Sequence, residues 1–104
     1  MDFNINEVLA NMLSAMKSSF GDDWGVVKET ANGFIQSKKI RLERLAKRRL
    51  AGTIDQEFFL DRLEDEKDIL ESELHAIAIV SAVLAQNAAN AAIDVLTNAI
   101  EALV

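Results

Sequence analysis

A chain of 104 residues has the length of one domain, and an Ala-, Leu-, Ile- and Val-rich composition without Pro points to helices rather than sheets. The absence of Cys excludes disulfides, thiolate nucleophiles and thiolate metal sites, and it fits a reducing compartment, with the cytoplasm as the default. A net charge of −6 argues against nucleic-acid binding, where phosphate contacts dominate affinity.

Asp2 and Glu7 stand where a signal peptide carries positive charge, so the opening reads as part of the folded domain. Phe3, Ile5, Val8, Leu9, Met12, Leu13, Met16 and Phe20 recur at spacings that predict an amphipathic helix over about 4–20, with Asn4 or Asn6 as N-cap. In "SSFGDDWG" Gly21 is a natural stop, and Asp22 or Asp23 a natural cap for the next helix. That second helix, about 23–51, carries Trp24, Val27, Ala31, Phe34, Ile35, Leu42, Leu45 and Leu50 as a broken apolar stripe. Trp24 reads as core, and Gly33 as the mark of a close helix crossing or a kink.

"LAGTIDQEFF" reads as a turn. Gly52 suits the left-handed position that ends a helix, and Thr53 with Gln56 matches a capping box, with Asp55 as the rival cap. From Ile54 to Val104 no Gly or Pro intervenes, so a third helix over about 54–104 is expected, a rod of ~75 Å at 1.5 Å per residue. It either runs straight or bends near "AQNAAN", where Gln86, Asn87 and Asn90 lower propensity.

The charges around Gly52 are mirror images. Residues 38–49 hold seven basic groups and one acid, and residues 55–73 hold nine acids and two basic groups. In an antiparallel hairpin, positions summing to about 106 face each other. Arg49 then lies near Glu57, Arg44 near Asp61, Arg41 near Asp65 and Lys38 near Asp68. We read the basic run as self-complementary pairing that sets hairpin register rather than as a nucleic-acid or membrane patch. Each exposed pair contributes only ~0–1 kcal/mol.

The stretch "LERLAKRRLAGTIDQEFFLDRL" resembles the short C-terminal helical-hairpin motif of the SHOCT type. Leu42, Leu45, Gly52, Ile54, Glu57 and Phe59 fit its pattern, Asp55 stands where Thr is usual, and Leu63 where Lys is expected. The match covers about a fifth of the chain and lies mid-chain rather than at its end. The resemblance implies oligomerisation. "SSFGDDWG" also resembles the opening of small uncharacterised helical proteins of bacteria and their phages, a likeness that transfers no function.

The last thirty residues, His75–Val104, contain two carboxylates and no Lys or Arg. From Gln86 onward the polar side chains Asn87, Asn90, Asp94, Thr97, Asn98 and Glu101 form one narrow stripe, and a helix so apolar is buried on several sides. A membrane span is disfavoured, because a charge-free window from Ala76 to Ile93 would place four amide or hydroxyl side chains in hydrocarbon. The series Leu70, Leu74, Ile77, Leu84, Ala88, Ala91 and Val95 supplies a heptad-like seam, so the tail is expected to pack against its own copy, most simply in a dimer.

No catalytic constellation stands out. His75 is the only His, and Glu71 one turn before it gives a metal pair only if two protomers combine. The ridge Glu57, Asp61, Glu64, Asp68 and Glu71 lacks the cleft that paired-carboxylate catalysis needs. The sequence thus predicts an all-α, antiparallel hairpin-based bundle with one very long C-terminal helix, completed by self-association. It predicts no catalytic, metal or cofactor residues. The function expected is non-enzymatic assembly or interaction, with an unidentified protein partner allowed; the alternative is a membrane-peripheral protein whose apolar tail binds lipid.

Overall fold

Asn4, in an extended conformation, accepts the backbone N–H of Glu7 on its Oδ1 at 3.2 Å and starts the first helix, α1 (Ile5–Phe20). Its apolar stripe, Ile5, Val8, Leu9, Met12, Met16 and Phe20, is buried, as the spacing predicts. Gly21 ends it at φ 57 and ψ −121, a combination open in practice to Gly alone. A single 3-10 turn (Gly21–Asp23) then runs directly into α2 (Trp24–Leu50). Neither Asp22 nor Asp23 caps it, because the turn delivers the chain already in helical conformation. Gly33 marks no close crossing: α2 runs unbroken through it, and the space a Cβ would occupy is open.

The computed structural model describes residues 3–104; Asp2, used in reading the N-terminus, lies outside the described residues. Among the described residues there is no strand, and two further helices follow, α3 (Gln56–His75) and α4 (Ala82–Glu101). Between α2 and α3, Gly52 takes φ 78. Its N–H donates to the Arg49 carbonyl at 3.1 Å, and the Thr53 N–H to the Arg48 carbonyl at 2.9 Å. That paired closure satisfies the last carbonyls of α2 and needs a left-handed residue at position 52. The cap of α3 is Asp55, whose Oδ1 accepts the Phe58 N–H at 2.9 Å, and not Thr53.

The expected C-terminal rod over 54–104 does not form. It breaks at 76–81, ahead of "AQNAAN", where three β-branched residues, Ile77, Ile79 and Val80, weaken the helix and Ser81 restarts it. The Ser81 Oγ accepts the Leu84 N–H at 3.1 Å. The longest helical run is instead N-terminal, the 46 residues Ile5–Leu50, bent at Gly21. α2 alone spans ~40 Å at 1.5 Å per residue, which matches the longest dimension of the molecule, 41 Å.

The bent run, α3 and α4 pack into one body. α1 lies against α4 and α2, α3 lies against α2 and α4, and α2 and α4 meet only lightly. The tail is therefore covered from within. Ala85, Ala88, Ala89, Ala92, Ile93, Leu96 and Ile100 of α4 are buried, and α1, whose contact with α4 is the most extensive in the molecule, forms one of the covering walls. Small Ala side chains let two helix backbones approach closely, so a 16-residue helix suffices where a bulkier stripe would need a broader cover. The polar stripe Gln86, Asn87, Asp94, Asn98 and Glu101 faces solvent. Trp24 is half-buried and packs on this core. No helix among the described residues is long and apolar enough to cross a membrane.

Candidate interaction site

The hairpin register runs as the charge pattern predicts, but the partners differ. Arg41 Nη1 donates to Glu66 Oε1 at 3.1 Å, Lys38 Nζ approaches Glu66 Oε2 at 3.5 Å, and Arg49 Nε donates to Gln56 Oε1 at 2.9 Å. These positions sum to 104–107, close to the expected 106. Glu57, Asp61, Asp65 and Asp68 do not receive the basic run; all four are exposed, and among the described residues Asp65 reaches only Arg62 of its own helix, at 4.0 Å. The reason is rotation. Core-facing Phe59, Leu63, Glu66, Leu70 and Leu74 set which side of α3 meets the bundle, and Glu66 is the only acid on that side.

Glu66 is 5% exposed, and its Oε2 makes no hydrogen bond, since Lys38 stands close without the geometry of one. Its two cations differ: the Lys38 side chain is 19% exposed and that of Arg41 64%. Arg41 remains hydrated if the pair is lost, and Lys38 can extend its ammonium to water along its own stem. The short Glu66 side chain cannot. Lys38→Met is therefore expected to destabilise by about 1–3 kcal/mol through a stranded carboxylate oxygen, and Glu66→Leu by less. Urea unfolding of the two variants checks the order, and a larger loss for Glu66→Leu would refute it. Away from the core side of α3, the Glu64 carboxylate lies 2.8 Å from the Lys67 ammonium and, against partial desolvation, holds the Lys67 pKa above its ordinary value.

Turned outward between α2 and α3 is a groove of about 530 Å³. Leu45, Phe58 and Ile69 give it apolar surface, and Arg41, Arg44, Arg48 and Arg62 surround that surface with positive charge. Asp65 and Glu66 are the acids that line it. The Arg62 guanidinium lies over the Phe58 ring at 5.1 Å, which holds both side chains at the rim. A shallower hollow of about 380 Å³ continues past Arg44 and Arg48 to Ile40, which is 69% exposed. Arg44 and Arg48 pair with no carboxylate among the described residues.

Of the residues expected at a copy-to-copy seam, Leu70, Leu74 and Ala88 are enclosed within the single chain. Ile77, Leu84 and Val95 are half-buried against the same core, and Ala91 is half-buried. The break at 76–81 is the cause: the two halves of the seam belong to different helices, α3 and α4, which pack on each other. His75 is exposed in the last turn of α3, with Glu71 half-buried one turn earlier. Among the described residues no three His, Asp or Glu converge as metal ligands. The α2–α3 groove was legible in part, as a basic run beside an acidic one, while its apolar surface was not, because adjacent apolar pairs such as Phe58–Phe59 and Ile69–Leu70 do not show by spacing which member faces the core. No family model, curated protein or solved structure compared with this chain matches it.

Proposed function

We propose that the chain is a non-enzymatic interaction protein, acting in the cytoplasm, that docks an acidic, amphipathic helical segment in the groove between α2 and α3. One observation carries this reading. Phe58 and Ile69 are 44% and 39% exposed at a groove whose rim holds four arginines, two of them without a carboxylate partner among the described residues. Aromatic side chains and Arg are enriched at protein–protein interfaces, and the groove sets Phe58 beside four arginines. The lipid-binding alternative for the tail fares less well, since α4 would have to leave the bundle and uncover Ala88, Ala92, Leu96 and Ile100.

The test is fluorescence anisotropy with a labelled Glu/Leu amphipathic helical peptide, and a matched Lys/Leu peptide as control. The Glu/Leu peptide is expected to bind, with affinity falling about tenfold in Arg44→Glu/Arg48→Glu and falling again at high salt. Equal binding of the two peptides, or none of either, overturns the reading.

A further inference from the structure

The outer face of α3 carries the complement of the groove. Glu57, Asp61, Glu64 and Asp68 recur at spacings of four, three and four and are exposed, and Leu60 beside them is 41% exposed. Of the four, only Glu64 has a cation partner among the described residues, Lys67 of its own helix. The α2 wall of the groove repeats the same spacing in the opposite charge, with Arg41, Arg44 and Arg48 at steps of three and four.

Within one chain the two surfaces cannot meet. At 100° per residue, positions 57, 61, 64 and 68 lie about a quarter turn from positions 58, 62, 65 and 69, whose side chains form the α3 wall of the groove. The ridge therefore sits beside the groove and points away from it. Two copies remove the obstacle. Where a ridge and its complementary groove are neighbours on one face, two molecules related by a two-fold axis exchange them reciprocally, and the assembly closes as a dimer instead of growing into a chain.

Resting on the groove as a docking site, we propose that its occupant is α3 of a second copy, whose acidic ridge enters between α2 and α3 and meets Arg44 and Arg48. Leu60, Phe58 and Ile69 supply the apolar contact, and the charges set partner and register. This surface differs from the α3–α4 seam, which is spent on the core.

Light scattering behind size exclusion, over a wide concentration range, tests it. The wild-type mass is expected to rise from one chain to two, and to fall back at high salt. Arg44→Glu/Arg48→Glu and Asp61→Arg/Asp68→Arg are each expected to weaken dimerisation by at least about tenfold, and an equimolar mixture of the two to restore the dimer. All four positions are exposed, and a helical circular-dichroism melt confirms that each variant folds; Arg44→Gln/Arg48→Gln is the milder variant, with the same expected direction. A wild-type monomer at every concentration, or a dimer indifferent to both reversals, overturns the self-docking proposal. Binding of the Glu/Leu peptide to that monomer would leave the groove as a site for another protein's acidic helix, and failure of both would end the groove reading as well.

Discussion

Leu96→Ala is expected to lower the unfolding free energy by about 2–5 kcal/mol, the range for emptying a Leu-sized site in a packed core. Leu96 sits on α4 with no exposed surface, in the same enclosed stripe as Ala92 and Ile100. Val83, on the same helix, is 66% exposed, and Val83→Ala is expected to change stability by less than about 0.5 kcal/mol. The informative variable is protein concentration. If the tail is buried within its own chain, the difference between wild type and Leu96→Ala in urea is the same at every concentration, even where both proteins also dimerise through another surface. A loss that appears only at high concentration would mean that a second copy supplies the cover.

That prediction reverses the natural reading of the tail, and the reversal has a definable cause. A helix apolar over most of its circumference needs walls on several sides, and a 16-residue α1 looks too small to be one of them. The quantity that decides is the size of what must be covered. Ala85, Ala88, Ala89 and Ala92 present little side chain, so α1 needs only to lie close to the α4 backbone.

Periodicity revealed α1, the Gly52 turn and the solvent stripe of α4, because each is written in local spacing or in one residue's special backbone conformation. The break at 76–81 was not legible, since it carries neither Gly nor Pro. Ile77, Ile79 and Val80 lower helix propensity only slightly, and the packing of α4 back on α1 and α3 decides the outcome. The charge hairpin shows the same division. Mirror symmetry about Gly52 gives the height at which Arg41 meets α3, and nothing in a sum of positions gives the rotation of α3. Rotation is set by Phe59, Leu63, Leu70 and Leu74 facing the core, which carries Glu66 inward and leaves Asp61, Asp65 and Asp68 outside.

That rotation is open to direct measurement through two adjacent aromatics. Phe59 has no exposed surface, whereas Phe58 is 44% exposed at the groove with Arg62 over its ring. Phe59→Ala is expected to cost about 3–5 kcal/mol, because it removes a large buried ring in the second turn of α3, where the hairpin meets the core. Phe58→Ala forfeits an exposed cation–π contact and some half-exposed area, and is expected to cost less than about 1 kcal/mol. Thermal and urea unfolding of the two variants yield the ratio, and affinity for the Glu/Leu peptide yields the complement: Phe58→Ala weakens docking, while Phe59→Ala, measured where it is still folded, leaves it near wild type. Equal stability losses would mean that α3 turns Phe58 and Phe59 to the core alike, a rotation of about 70° from its position here at 100° per residue. Phe58 would then leave the groove for the core, and the apolar surface of the groove would go with it.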